Sequence, residues 1–351
     1  MNSISRFLFR QFRKEETSLH QLEYIFWECT TRCNLHCRHC GSDCSAQTAL
    51  KDMPLEDFLG ALKTLPKPEK GRRPVIAITG GEPLLRPDIA ACGIEIRKLG
   101  YLWGMVSNGM EYDESMQRTL LDSGIGSLTI SLDGTKEQHN LMRGSSLSFD
   151  RAMNAITIAT HEPRIDFDVV TCVHPGNLPY LEDIFALLGK AGVKAWRLFT
   201  IAPIGRAATD STLQLSDAQA NEMMDFIVRH RQSKESRPTV QFSCEAYTGP
   251  YECKVRQAPF FCRAGINIAS VLIDGSIGAC PNIDRRYVQG NIYNDDFKEA
   301  WEDRFQIYRD RKWMQTGPCA SCKAYNDCAG GAFHLRQPGI EGPLVCHFSQ
   351  H

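Results

Sequence analysis

Cys33-Asn34-Leu35-His36-Cys37-Arg38-His39-Cys40 is the stretch whose reading decides the fold. Its spacing is C-x3-C-x2-C, and it follows at once on a run of apolar and aromatic residues, Leu22 to Trp27, that reads as a buried strand. A loop of that length folds its three thiolates around one small cluster. A [4Fe–4S] cube held by only three protein thiolates keeps one iron open to a small molecule. Zinc is the alternative and needs a fourth ligand, for which Cys29, His36, His39 and Cys44 are at hand.

Outward from this loop, short β-rich runs alternate with helix-like stretches. Strands are predicted at Leu22–Trp27, Val75–Thr79, Leu102–Ser107, Ser127–Leu132, Ile165–Cys172 and Ala195–Thr200, with helices near Leu55–Leu65, Asp88–Leu99, Asp113–Ser123, Ser148–Thr160 and Leu178–Gly189. That alternation predicts a parallel sheet under crossover helices, with ligands at the carboxyl ends of the strands. The second strand ends in Gly80-Gly81-Glu82-Pro83-Leu84, where two glycines let the backbone come close to a bound ligand and Glu82 offers a charge. Ser107-Asn108-Gly109 and Ser131-Leu132-Asp133-Gly134 end the third and fourth strands.

The CxxxCxxC loop after the first strand and GGEPL after the second resemble the radical S-adenosylmethionine (SAM) superfamily. The resemblance implies a partial (β/α)6 barrel of the TIM type. It implies that Cys33, Cys37 and Cys40 hold a [4Fe–4S] cluster whose open iron is chelated by SAM. By position, Gly80, Gly81, Glu82 and Pro83 inherit the contact with the SAM amino group; Ser107, Asn108 and Ser131 are SAM contacts; and Arg143, in His139-Asn140-Leu141-Met142-Arg143-Gly144, meets the SAM carboxylate. No catalytic base is assigned. A one-electron donor such as flavodoxin or ferredoxin is an implied partner.

The C-terminal third changes texture, with cysteines, glycines and aromatics in place of long periodic segments. Cys262, Gly275, Cys280, Cys319-x2-Cys322-x5-Cys328 and Cys346 resemble the SPASM extension of radical SAM maturases, which houses two auxiliary [4Fe–4S] clusters. On that resemblance Cys319, Cys322, Cys328 and Cys346 hold the outer cluster. Cys262 and Cys280 hold the inner one, with Cys253 as upstream ligand and Cys244 as a weaker candidate. Ala332 stands where the family has a further cysteine, so the inner cluster has an open iron, or a non-thiolate such as His334 closes it, or another cysteine substitutes. The expected domains are a short amphipathic segment 1–20, the barrel 21–206, a bridge 207–240 and the auxiliary domain 241–351.

The whole chain agrees with this reading. It has 351 residues, 42% of them hydrophobic, which is enough for a large core, and 15 cysteines in two short-spaced groups. Disulfides explain such grouping badly in a reducing compartment, and cluster or zinc ligation explains it well. Forty Lys and Arg nearly cancel 41 Asp and Glu, so nothing global favours nucleic acid. No apolar run approaches the roughly 18 residues of a membrane span, and no secretory signal opens the chain, so a cytoplasmic location is expected. Ile4, Phe7, Leu8 and Phe12 share a helical face flanked by Arg6, Arg10, Arg13 and Lys14. Packing on the domain is one reading of that face, weak membrane-surface contact another.

Three clusters suit an oxidation begun by SAM cleavage, and SPASM relatives mostly modify peptides or proteins. The leading expectation is therefore a maturase that oxidises or crosslinks a peptide or protein side chain. Small-molecule chemistry, sulfatase formylglycine formation and a non-enzymatic iron–sulfur or zinc module are the alternatives. Formylglycine maturases carry an aspartate directly after the inner-cluster cysteine, whereas Pro281 follows Cys280 here and Asp284 is the nearest acid. About twenty residues precede the first strand, too few for a leader-binding domain, so the expectation is that the core, the N-terminal helix or another protein recognises the precursor.

Overall fold

A computed structural model describes residues 3–69, 71–233, 237–243 and 245–348. Six parallel strands form its centre: β1 (Tyr24–Thr30), β2 (Val75–Gly80), β3 (Leu102–Ser107), β4 (Ser127–Ser131), β5 (Asp166–Val173) and β6 (Ala195–Thr200). They neighbour one another in chain order, each pair parallel. Helix α1 (Ser3–Leu19) precedes them. Then α2 (Leu55–Thr64), α3 (Ile89–Lys98), α4 (Glu114–Asp122), α5 (Lys136–Arg143), α6 (Ser148–Thr160) and α7 (Leu181–Lys190) occupy the crossovers.

Alternate residues of the strands point into the layer under these helices. Ile25 and Trp27, Ile76 and Ile78, Trp103 and Met105, and Leu128 and Ile130 are buried there, each large apolar side chain worth roughly 1.5–3 kcal/mol on burial. Trp27 stacks on Phe58 of α2 with ring centroids 4.2 Å apart, and the Arg86 guanidinium lies 5.0 Å from the Trp27 ring. The polar carboxyl ends of the strands emerge together on one rim.

Two features lie beyond the predicted plan. Helix α5, Lys-Glu-Gln-His-Asn-Leu-Met-Arg, has no extended apolar period to announce it. After α8 (Asp217–Gln232), the short strand β7 (Thr239–Phe242) adds in parallel to β6, so the expected boundary at 240/241 falls inside a strand. The C-terminal segment continues the same sheet from its other edge. There β8 (Ile268–Val271) pairs in parallel with β1, and β9 (Ser276–Gly278) and β10 (Gly290–Asn291) follow antiparallel, giving ten strands in the order β10-β9-β8-β1-β2-β3-β4-β5-β6-β7.

Helix α1 docks in the reverse sense to an ordinary amphipathic helix. Arg10 and Arg6 form ion pairs with Asp327 at 2.7 and 3.7 Å, while Ile4, Phe7, Leu8 and Leu19 face solvent. Among the described residues no helix is long and apolar enough to cross a membrane.

Candidate SAM and iron–sulfur sites

The Cys33–Cys40 loop leaves β1 and is tied down at several points. Cys33 donates its N–H to the Ser45 carbonyl at 3.2 Å, and Arg38 N–H reaches the Met142 carbonyl on α5 at 2.9 Å. Arg206 donates from Nε to the Cys37 carbonyl at 2.7 Å and from Nη1 to the Cys44 carbonyl at 3.1 Å. Gly205 makes that clamp feasible: it has φ +56°, and a β-carbon there would lie 2.4 Å from the Cys40 carbonyl oxygen. Cys44 is buried beside the loop and hydrogen-bonds to Cys40, drawing the Cys40 thiol below its ordinary pKa. Cys29 is buried in the core.

The glycines of Gly80-Gly81-Glu82 serve close approach to this loop's own backbone. A β-carbon on Gly80 would meet the Thr30 carbonyl oxygen at 2.1 Å, and one on Gly81 the Arg32 oxygen at 2.1 Å. Gly81 N–H donates to Thr30 and Glu82 N–H to Arg32, both at 2.8 Å, so the β2 end is laced directly to the residues preceding Cys33. Pro83 is buried at the start of the following turn.

Glu82 is fully buried. Its carboxylate accepts from the Ser107 hydroxyl (2.9 Å), Asn108 N–H (2.8 Å) and Leu84 N–H (3.1 Å), which bridges the β2 and β3 ends. Burial outweighs these bonds and pushes its pKa up to about 7. The Asn108 amide donates to Asn34 at 2.8 Å and lies 3.9 Å from the Cys33 sulfur. Ser107 and Asn108 thus brace the thiol loop, while Ser131 ends β4 half-buried.

A polar knot that sequence reasoning missed, apart from Arg143, lies across the rim. Arg143 forms an ion pair with Asp133 at 2.7 Å and places Nη1 3.7 Å from the Cys37 sulfur. Asp133 also accepts from Cys172 N–H at 2.9 Å, and His39 stands 3.5 Å from it. Despite burial, the charges of Arg143 and the neighbouring histidines hold the Asp133 carboxyl down to about 2. Burial lowers His39 to about 4 and His139 to about 3, so both imidazoles are neutral near pH 7. Asp133 stood within a quoted motif, and its place two residues past a strand end was the available signal; Cys172 had none.

The knot keeps buried polar atoms without hydrogen-bond partners: Arg143 Nε, His39 Nδ1, His139 Nε2 and His174 Nε2. Orphaned groups of this kind beside three thiols fit a polar ligand such as the carboxylate and amino groups of SAM. The ligand atoms of His39, Asp133 and Cys172 also lie within 4.8 Å of one another, with the Arg143 cation already paired to the carboxylate.

In the C-terminal segment Cys319, Cys322, Cys328 and Cys346 line one small cavity of about 30 Å³. Arg336 Nη2 lies 3.3 Å from the Cys319 sulfur, and Cys328 carries the charge influence of the other three thiols. Thiolates around one tetrahedral zinc stand about 3.8 Å apart from their ~2.3 Å bonds. These four do not form a group within 4.8 Å, a spacing reached among the described residues by His39, Asp133 and Cys172. Four thiols on one cavity are a donor set that either an iron–sulfur cluster or zinc accepts.

Cys262 and Cys280 both act electrostatically on buried Tyr308, and Phe333 N–H approaches the Cys262 sulfur at 3.5 Å. Buried Ala332 packs beside Cys262, so its methyl occupies the flank of this inner site. His334 is turned toward Glu245 and His347. Cys253 stands apart from that grouping: it is exposed, with φ +67°, and Glu252 and Arg256 are its charged side-chain neighbours. Cys244 lies outside the described residues.

Residues 27–195 match the radical SAM superfamily model, and residues 262–323 match the SPASM model, an iron–sulfur cluster-binding domain. The chain belongs to the radical SAM superfamily. Its C-terminal segment is a SPASM domain, and iron–sulfur and SAM binding come with the family. Among curated proteins it is 26% identical over 333 residues to the AdoMet-dependent heme synthase of Oleidesulfovibrio alaskensis, covering 87% of this chain and 81% of that one. It is 28% identical over 315 residues to the mycofactocin maturase MftC of Mycobacterium ulcerans, covering 88% and 82%. The fold matches anSMEcpe with bound AdoMet (TM-score 0.72, 18% identity, 94% of each chain). It also matches Streptococcus suis SuiB bound to precursor peptide SuiA (TM-score 0.72, 13% identity, 96% of this chain and 79% of that one).

Proposed function

We propose that this radical SAM enzyme oxidises or crosslinks a side chain of a peptide or protein, with Cys33, Cys37 and Cys40 holding the SAM-cleaving cluster and the C-terminal thiols holding two auxiliary clusters. The observation that carries the reading is the convergence, on one rim of the sheet, of the three-thiol loop, the GGEP backbone and the Arg143–Asp133 knot with its unpartnered donors. When bound, the cluster and SAM supply one-electron cleavage to a 5′-deoxyadenosyl radical. The chain's own residues fix the geometry: Gly80 and Gly81 seat the loop, Glu82 ties β2 to β3, and Arg143 holds a cation where a SAM carboxylate binds. Likeness to MftC and to the SuiB fold supports a peptide substrate.

A second reading draws on the AdoMet-dependent heme synthases and the Fe-coproporphyrin III synthase among the curated relatives, and takes an iron tetrapyrrole as substrate. Formylglycine formation loses support, because the Asp284 carboxylate closes on Arg286 at 2.7 Å and accepts from Arg286 N–H. The experiment is anaerobic reconstitution with SAM and reductant, offered in parallel a precursor peptide encoded beside the gene and iron coproporphyrin. Substrate-dependent 5′-deoxyadenosine with a mass decrease on the peptide is expected. Turnover of the tetrapyrrole alone overturns the peptide reading.

A further inference from the structure

A separate cleft lies far from the SAM rim. It encloses about 570 Å³ between α1 and the C-terminal domain, and its lining includes Arg10, Arg13, Lys14, Arg309 and Arg311 above an apolar floor of Phe261 and Ile266. Asp310 is the acid in that lining. Carboxylates offset these cations in part: Asp327 serves both Arg6 and Arg10, Glu302 stands 3.1 Å from His20 and acts on Arg309, and Arg13 donates to the Asp327 and Asn326 carbonyls at 2.5 and 2.6 Å. Arg309 donates to the carbonyls of Gly265, Trp301 and Glu302, and Arg311 to those of Tyr308 and Cys262. Burial lowers Arg309 to about 10 against the opposing charge of Glu302, and burial, with Arg311 and Arg10 adding to it, also lowers Arg13.

Position narrows what such a cleft binds. His20 and Ile266 place it at the amino ends of β1 and β8, whereas the Cys33 loop leaves the carboxyl end of β1, a strand of seven residues and roughly 20 Å away. A substrate seated here does not reach the SAM rim. The cleft instead borders the C-terminal thiols: Arg311 Nη2 holds the Cys262 carbonyl at 2.7 Å, and Ala329, next to Cys328, lines the wall.

We propose that this cleft is the docking site of an acidic one-electron carrier protein of the flavodoxin type. A negative protein surface compensates the clustered cations and orients its redox group toward the auxiliary thiols; complementary charge of this kind governs encounter and register. The inference rests on the reading that those thiols hold clusters, and docking itself forms no covalent bond.

The test measures binding of oxidised flavodoxin to the reconstituted full chain, with iron content determined on the same samples. Affinity is expected to fall with added salt. It is expected to weaken roughly tenfold in the Arg10→Glu, Lys14→Glu double variant while Lys190→Glu, remote on α7, keeps the native value. Since Arg10→Glu also opposes Asp327, Lys14→Glu alone serves as the variant that leaves the α1 anchor intact, with a smaller loss in the same direction. Carboxylate-to-lysine crosslinking should join flavodoxin to Lys14. Native affinity in both cleft variants, crosslinks confined to another face, or an acidic peptide that binds the cleft while flavodoxin does not, each overturns the proposal. Low iron with intact docking would count against the cluster reading alone.

Discussion

At the carboxyl ends of β1 and β2 the thiol-bearing loop is fixed by main chain: Gly81 and Glu82 donate to Thr30 and Arg32, Arg206 clamps Cys37, and Glu82 spans to β3. At the inner cysteines Phe333 N–H approaches the Cys262 sulfur, Cys262 packs against the small apolar cluster of Phe260, Ala332 and Leu335, and Cys253 is exposed. The first site is shaped before any iron arrives. The second has no comparable main-chain frame among these contacts, and on the proposed reading its metal would organise it, as in small metal-bound domains. Preorganisation would then concentrate where a radical must be aimed.

Separating the two regions gives the largest expected effect. Replacing Cys33, Cys37 and Cys40 together by Ala should abolish 5′-deoxyadenosine formation while iron remains in the C-terminal domain. Three [4Fe–4S] clusters correspond to ~12 irons per chain, and the triple variant should retain ~8. Unchanged SAM cleavage, or loss of all iron, would break the assignment.

The next effect tests how far the SAM rim is built around one buried ion pair. Asp133→Asn leaves the Arg143 cation buried without its partner, which costs about 3–5 kcal/mol. Denaturant unfolding of the iron-free protein reads this directly. Asp133→Leu with Arg143→Leu should destabilise less than Asp133→Asn alone, because no charge is then stranded. Equal losses would mean that the knot acts by packing.

Much of this was legible beforehand because strand periodicity and chemistry coincide. The six central strands emerge within about three residues of expectation since each is an apolar run bounded by Gly, Pro or polar turns. The thiol loop stands out by its spacing and GGEP by its place at a strand end, while their roles come from the resemblance. What escaped detection was reached only through space. Asp133, Cys172 and Arg206 come from three separate segments, and no local pattern marks their meeting at Cys37 and Arg143. Gly80 and Gly81 have a further role that the sequence does not show: they admit the Thr30 and Arg32 carbonyls. For α1, amphipathicity was visible but not its sense, since Asp327 draws the arginines inward and leaves the apolar face outside.

A smaller effect sharpens the contrast through pH. Burial raises the Glu82 pKa from 4.5 to about 7, so between those values the folded chain binds more protons than the unfolded one. Stability from this group is therefore full below pH 4.5 and lost as pH rises to about 7, a change of roughly 3 kcal/mol. Glu82→Gln should flatten that slope in the iron-free protein. A slope that survives the substitution assigns it to other groups.

The smallest expected effect concerns Cys253, and it decides how complete the inner site is. Resemblance nominates this residue as the upstream ligand of the inner cluster, but the chain holds it exposed at φ +67°, with Glu252 and Arg256 as charged side-chain neighbours. Recruiting it would bury an exposed thiol, a cost that a cluster's binding energy must offset. Cys253→Ser should therefore leave iron and sulfide content at the native level, whereas Cys262→Ser should lower iron by ~4 per chain. Equal loss in the two variants would show that metal binding pulls the thiol inward. If Cys253→Ser is silent, Ala332→Cys becomes the informative partner: a thiol placed beside Cys262 should make the inner cluster more resistant to chelation, which timed iron release in the two proteins would measure.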